Sequence, residues 1–235
     1  MKPKAILFDL DGTLLPMNID TFVKAYFGGL AAWMAKHGYD PKLLVDAVMK
    51  GTYAMVTNDG EVTNEERFWQ SFAATFGEEV RGEEPYLEEF YHERFDDARE
   101  VCGFIPEADA VIKELKRRGY RVILATNPIF PRIATEHRIK WAGLDINDFE
   151  LVTTYENSRY TKPDLNYYHD ILNQCGLAPD ECLMVGNDVG EDMVVRQMGM
   201  RVFLLPLCLI NKQGEDISKI PNGSLTDLIP YIEAL

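Results

Sequence analysis

The 235-residue sequence lacks any apolar run long enough to cross a membrane. Its longest run, Val202 to Ile210, is interrupted by Pro206 and is far shorter than the ~20 residues of a membrane-spanning helix. The short apolar stretch near Met1 reaches Asp9 and Asp11 too soon for a signal peptide. We therefore predict a cytoplasmic protein with no membrane partner.

Basic residues are scarce relative to acidic ones. The chain has 24 Lys and Arg against 38 Asp and Glu, a net charge of −14. This charge repels a phosphate backbone and argues against nucleic-acid binding, so any phosphate site must be built locally from a cation, a few basic groups and backbone amides. The cysteines show no C-x-x-C spacing and favour free thiols in a reducing compartment: Cys102, Cys175, Cys182 and Cys208.

Three common functional motifs are also missing. The sequence has no G-x-x-x-x-G-K-[ST] for nucleotide phosphates, no G-x-G-x-x-G for dinucleotides and no H-E-x-x-H for zinc. The histidines form no metal-binding spacing either: His37, His92, His137 and His169. We therefore expect these histidines to be surface or partly buried side chains rather than catalysts.

Short apolar runs that end in polar turns predict five buried strands: Lys4–Phe8, Arg121–Ala125, 150–152, Cys182–Val185 and Arg201–Leu205. Helical spacing separates the later strands, at 106–118, 130–141, Leu165–Cys175 and 191–198. This alternation predicts an α/β fold with a doubly wound, Rossmann-like parallel sheet of about five strands. Ligands of such sheets bind beyond the carboxyl ends of the strands.

The span from about residue 19 to residue 99 breaks the alternation because its apolar residues keep helical spacing throughout. We expect four helices, punctuated by Gly38, Gly51, Gly60 and Gly77. We predict an α/β core of residues 1–16 plus 101–235 and an inserted helical cap of residues 17–100, with hinges at 16–18 and 100–103. A helical bundle with a purely structural role is the alternative.

The first chemical motif is Asp9-Leu10-Asp11-Gly12-Thr13, directly after the first strand. In an extended segment, residues i and i+2 point the same way, so the two carboxylates should be neighbours. Adjacent carboxylates repel unless a cation joins them or one keeps its proton. The pair therefore predicts a metal, a shared proton, or both.

Polar side chains follow the other predicted strands. Thr126 and Asn127 end the second strand at a junction with a helix, which suits a phosphate oxygen but also suits a simple helix cap. Lys162 precedes another helix and could provide a fixed positive charge. Asp188 and Asp192 follow the fourth strand and, with Asp9 and Asp11, supply the oxygen ligands that Mg²⁺ prefers.

The order of these motifs resembles the haloacid dehalogenase-like superfamily, whose first motif D-x-D-G-T matches Asp9 to Thr13. The resemblance implies that Asp9 attacks phosphorus to form an aspartyl-phosphate and that Asp11 protonates the leaving group and then activates water. Thr126, Asn127 and Lys162 would bind the phosphoryl group. Magnesium would be held by Asp9, the backbone carbonyl of Asp11 and Asp188, with Asp192 nearby. The family's fourth motif has an acid straight after the glycine, where this chain has Asn187.

Within the superfamily, the resemblance favours a phosphatase acting on a small phosphorylated metabolite, as a monomer or homodimer. Dehalogenases and phosphonatases lack the second acid of the first motif, which is present here as Asp11. A sugar phosphomutase shares the motif and the cap position, so it remains an alternative. A signalling receiver domain carries its phosphorylated Asp after the third strand, where this chain has no acid. A non-catalytic scaffold is the remaining alternative.

Overall fold

The computed structural model describes residues 2–235 and contains one five-stranded sheet. The strands are β1 (Ala5–Phe8), β2 (Arg121–Leu124), β3 (Leu151–Val152), β4 (Cys182–Gly186) and β5 (Arg201–Leu204). They are all parallel, in the order β3-β2-β1-β4-β5. The predicted doubly wound α/β fold is confirmed.

Strand β1 lies at the centre of the sheet and is buried on both faces, as its uninterrupted apolar sequence requires. Its last residue, Phe8, pairs with Leu124 of β2 and Val185 of β4. The three central strands therefore end at the same level. The residues that follow them are brought to one edge of the sheet.

Residues 2–235 contain eight α-helices. They are α1 (Ile19–Met34), α2 (Pro41–Val56), α3 (Asn64–Phe76), α4 (Glu84–Glu93), α5 (Ala108–Arg117), α6 (Arg132–Trp141), α7 (Leu165–Cys175) and α8 (Leu228–Glu233). None of them has the length and apolarity that crossing a bilayer requires. The four cysteines are unpaired thiols.

Helices α1 to α4 lie within residues 19–99, so the predicted number of four helices is correct for α-helices in this segment. One predicted break is wrong, because Gly51 lies inside α2. A Cβ atom there would come within 2.5 Å of the Phe68 ring, so this glycine lets α2 and α3 pack closely. Gly38, Gly60 and Gly77 do lie between helices.

A second difference concerns residues 191–198, which form a short 3₁₀ helix, Met193–Met198, instead of an α-helix. The Asp188 side chain accepts hydrogen bonds from the amides of Gly190 and Glu191, so a turn occupies the start of this segment. The β-branched pair Val194-Val195 further disfavours an α-helix.

The segment that holds α1 to α4 meets the rest of the chain at its two connections and through contacts such as those of Asn64 and Asp96. Its two connections pair with each other, through a bridge between Met17 and Cys102 and a 2.6 Å bond from the Gly103 amide to the Pro16 carbonyl. Asn64, at the start of α3, is fully buried and contacts the loops after β2 and β3. Its Nδ2 donates to the carbonyls of Pro128 (3.1 Å) and Tyr160 (3.3 Å).

We predict that Asn64→Ala lowers the free energy of unfolding by about 2 kcal/mol, because it leaves buried carbonyls without a donor. Asn64→Asp should cost more, since it places an acceptor against the same two carbonyls. Urea denaturation of both variants measures the effect. Replacement of the exposed Asn147 by Ala is the control. A loss no larger than the control's would contradict this role for Asn64.

Candidate active site

Asp9 and Asp11 lie beyond the carboxyl end of β1, as predicted. The Asp9 amide donates to the Val185 carbonyl (2.9 Å), which extends the pairing of β1 with β4 by one residue. Asp9 is only 7% exposed. Thr13 Oγ1 lies 2.9 Å from Asp9 Oδ2 and 2.8 Å from Asn187 Oδ1, which links the first and fourth motifs.

Lys162 joins two carboxylates from different motifs. Its Nζ donates to Asp9 Oδ1 (2.8 Å) and to Asp192 Oδ1 (2.7 Å). Lys162 and Asp192 are almost fully buried. The other oxygen of Asp192 accepts from the Asp188 amide (3.0 Å). The ammonium group is therefore held in one place beside Asp9.

Burial by itself would lower the pKa of Lys162, but the carboxylates of Asp192 and Asp9 raise it well above its ordinary value. Burial raises the pKa of Asp192 to about 7, against the opposing effect of Lys162. When both acids are ionised, the two carboxylates and the one ammonium group form a buried cluster with a net negative charge. Such a cluster attracts a further cation.

Asp11 is held by a residue that the sequence motifs do not include. Its Oδ2 forms an ion pair with Nη1 of Arg138, on α6, and Arg138 is only 1% exposed. The other oxygen, Oδ1, is buried and has no hydrogen-bond partner among residues 2–235. Burial raises the pKa of Asp11, Arg138 opposes the increase and Asp9 adds to it.

The position of Arg138 in the sequence indicates that its side chain is buried. It lies four residues after Ala134 and three before Trp141, on the buried face of α6. A charged side chain at such a position needs a buried partner. Nothing in its local sequence identified Asp11, which is 127 residues away, as that partner.

Thr126 and Asn127 lie at the end of β2, where the sequence placed them. Thr126 is buried, and its carbonyl accepts hydrogen bonds from Thr153 Oγ1 (2.7 Å) and from the Tyr167 hydroxyl (2.9 Å). Asn127 uses its side chain to connect loops. Its Nδ2 donates to Glu191 Oε2 (3.1 Å) and its Oδ1 accepts from the Lys162 amide (3.3 Å).

Asp188 and Glu191 are two further acids near Asp9. Together, these three residues form the acidic edge of the site. Asp188 Oδ1 accepts from the amides of Gly190 (2.7 Å) and Glu191 (3.0 Å). Burial raises the pKa of Glu191, and the charges of Asp188 and Asp9 raise it further, against the effect of Lys162. Asp9, Asp188 and Glu191 therefore lie within electrostatic range of one another. The sequence motifs assigned no role to Glu191.

Residues 2–235 contain no cluster of three or more His, Cys, Asp or Glu side chains in a metal-binding arrangement. Asp192 is only 1% exposed and bonds Lys162 and the Asp188 amide through its two oxygens, and Asp11 Oδ2 is paired with Arg138. Asp9 also bonds Lys162 and Thr13, but it is 7% exposed and so remains open to a further ligand. The donors that fit a cation are the carboxylates of Asp9 and Asp188 and the Asp11 carbonyl. Mg²⁺ retains several waters and binds through one or two carboxylates, so this set suits it.

The family model for haloacid dehalogenase-like hydrolases matches residues 3–194, which include every site residue described above. The chain belongs to the haloacid dehalogenase-like hydrolase family. Its sequence is similar to those of several phosphatases. Hexitol phosphatase A of Escherichia coli (strain K12) is 26% identical over 187 residues, 79% of this chain and 74% of that protein. Pyrophosphatase PpaX of Bacillus cereus (strain AH820) is 25% identical over 190 residues, 80% of this chain and 76% of that protein.

The fold of this haloacid dehalogenase-like hydrolase also matches solved structures along nearly its whole length. A 2-haloacid dehalogenase from Pseudomonas syringae pv. Tomato DC3000 superposes with a TM-score of 0.63 and 20% identity, covering 99% of this chain and 98% of that one. At this level of identity the likeness concerns the fold alone. The reaction must therefore be argued from the site itself.

Proposed function

We propose that the protein is a magnesium-dependent phosphatase that hydrolyses the phosphomonoester of a small metabolite through a phosphorylated Asp9. The observation that carries the proposal is the set of contacts around two acids. Asp9 is held beside the buried ammonium group of Lys162, and Asp11, two residues on, keeps one oxygen unpaired. A nucleophile, a cation and a proton donor are the parts that phosphoryl transfer through an enzyme carboxylate needs.

In the first step, a carboxylate oxygen of Asp9 forms a bond to phosphorus while the bond from phosphorus to the ester oxygen breaks. The electron pair left on the ester oxygen takes the proton of Asp11, so the organic part leaves as a neutral alcohol. In the second step, water attacks phosphorus and gives its proton to the Asp11 carboxylate. The bond between Asp9 and phosphorus then breaks, which restores Asp9 and releases phosphate.

Lys162 would stabilise the negative charge of the transferring phosphoryl group, together with Thr126 and Asn127 at the end of β2. Asp9, Asp188 and the Asp11 carbonyl would hold Mg²⁺. When bound, the ion supplies positive charge that offsets the repulsion between the phosphate and the acidic edge of the site. Burial is the main cause of the raised pKa of Glu191, and the negative charges of Asp188 and Asp9 add to it, which supports an acidic environment at this end of the sheet.

We further propose that residues 17–100 form a cap over a core of residues 1–16 and 101–235. The paired connections at Met17–Cys102 and Pro16–Gly103 support this boundary. The cap would exclude water from the phosphorylated Asp9 and would favour small substrates over large partners.

A cavity of about 750 Å³ lies between α1 to α4 and the loops after β2 and β3. It would hold the organic part of the substrate. Its lining is largely apolar and includes Phe130, whose ring stacks on Arg138 at 4.5 Å. The lining carries five glutamates: Glu65, Glu84, Glu88, Glu136 and Glu156. Its arginine, Arg132, is bonded to Glu136 (2.7 Å). This charge balance disfavours a substrate with a second anionic group next to the phosphate ester.

Phosphate release from a panel of phosphomonoesters tests the proposal, with Mg²⁺ or with a chelator present. We expect release only with Mg²⁺. We also expect phosphoethanolamine and neutral polyol phosphates to be better substrates than phosphoglycolate and sugar bisphosphates. Movement of phosphate between positions on a sugar, without release, would favour the mutase instead. No transfer to water or to sugar would contradict the proposal, and a preference for bisphosphates would contradict the charge argument alone.

A further inference from the structure

We infer that Arg138 is a positioning residue for the proposed proton transfer. The ion pair with Arg138 fixes one oxygen of Asp11, so that the other, Oδ1, is the atom that exchanges the proton with the leaving group. This inference rests on the proposed function and extends it to a residue outside the four sequence motifs.

Arg138 is held rigidly by its surroundings. Its Nε donates to the Ala134 carbonyl (3.3 Å) and its Nη2 to Thr135 Oγ1 (3.2 Å), both on α6. The Phe130 ring covers the guanidinium plane. Nη1 is thereby directed to Asp11 Oδ2. Because the arginine is almost fully buried, solvent cannot replace any of these contacts.

The two oxygens of Asp11 are therefore unequal. Oδ2 faces the guanidinium group, whose positive charge makes it the less favourable of the two oxygens to carry a proton. Oδ1 is buried without any hydrogen-bond partner in residues 2–235. An unpaired buried acceptor is costly, and proteins retain such atoms where a ligand or a reaction uses them. Asp9, the proposed nucleophile, is two residues earlier and lies within electrostatic range of the Asp11 carboxyl group.

A structural role and a positioning role for Arg138 predict different effects of its replacement on the reaction rate. If Arg138 acts through the proton of Asp11, its loss should matter most when the leaving group needs that proton. An alkyl phosphate releases a strongly basic alkoxide unless it is protonated, whereas p-nitrophenyl phosphate releases a weakly basic phenolate. General acid catalysis contributes about 10² to 10⁴ to the rate where it is needed.

The experiment compares the native protein with Arg138→Met in single-turnover release of the alcohol or phenol, which isolates the first step. We expect a loss on the order of 10²-fold for the alkyl ester and less than about tenfold for p-nitrophenyl phosphate. Asp11→Asn should show the same dependence on the leaving group. In Arg138→Ala, added guanidinium should restore part of the alkyl-ester rate, and an equal concentration of sodium ion should not.

An equal loss for both esters in a folded variant would overturn the inference and leave Arg138 a structural role. If Arg138→Met does not fold, Arg138→Lys permits the same comparison, with a smaller loss expected because the positive charge is kept. If the native protein releases phosphate from neither ester, the proposed function fails, which is a separate outcome.

Discussion

Asp9→Asn is expected to reduce phosphate release by on the order of 10⁴-fold or more, because an amide cannot act as the nucleophile that the proposed reaction requires. The substitution should leave the fold intact. An asparagine can still accept from Lys162 Nζ and can donate to Thr13 Oγ1, which in turn donates to Asn187 Oδ1, so the buried network keeps its partners.

Steady-state turnover with Mg²⁺ measures this effect, and thermal unfolding checks the fold. Asp20→Asn is a matched control, since Asp20 is an exposed acid in the first turn of α1 and should tolerate the change without loss of activity. If Asp9→Asn kept more than a tenth of the native rate, Asp9 would not be the nucleophile.

The second large effect is expected for Lys162→Met. This substitution leaves the buried carboxylates of Asp9 and Asp192 without their shared cation. Removing one partner of a buried ion pair typically costs about 3 to 5 kcal/mol, and we expect a loss of unfolding free energy in that range at neutral pH. Turnover should also fall by about 10² to 10³, the usual cost of one lost charge-stabilising group.

Urea denaturation of a second variant tests whether unpaired charge causes the loss of unfolding free energy. Asp192→Asn, added to Lys162→Met, should recover part of the lost free energy, because it removes one of the two uncompensated charges. Lys219→Met is the control, since Lys219 is largely exposed and its replacement should change stability by less than about 0.5 kcal/mol. A double variant less stable than Lys162→Met alone would contradict this account of the cluster.

Much of this arrangement was predictable from the sequence, because strand ends in a parallel sheet meet at one edge. The uninterrupted apolar runs before Asp9 and Asp188 identified β1 and β4 as buried strands, and the register of Phe8 with Val185 then brings the two acids to the same edge. Lys162 was predicted on other grounds, as a possible fixed positive charge before a helix and as a phosphate-binding residue implied by the family resemblance. Its bonds to both Asp9 and Asp192 follow from the burial of all three side chains.

The features that the sequence did not predict depend on contacts between residues that are far apart in the chain or hidden from the local pattern. The partner of Arg138 could not be identified because periodicity indicates which face of a helix is buried and not what lies against it. Gly51 was interpreted as a break because the approach of Phe68 in α3 is invisible in the sequence of α2. The segment 191–198 has helical spacing, yet the hydrogen bonds of Asp188 replace its first turn.

The central claim is that Asp9 carries the phosphoryl group during the reaction. The most direct measurement is to quench a single turnover in acid at successive times and to locate phosphate on the digested protein by mass spectrometry. We predict a phosphorylated peptide that contains Asp9, which appears and then disappears as free phosphate forms, and which is absent from Asp9→Asn. Release of phosphate without any phosphorylated Asp9, or with the phosphoryl group on another residue, would contradict the account.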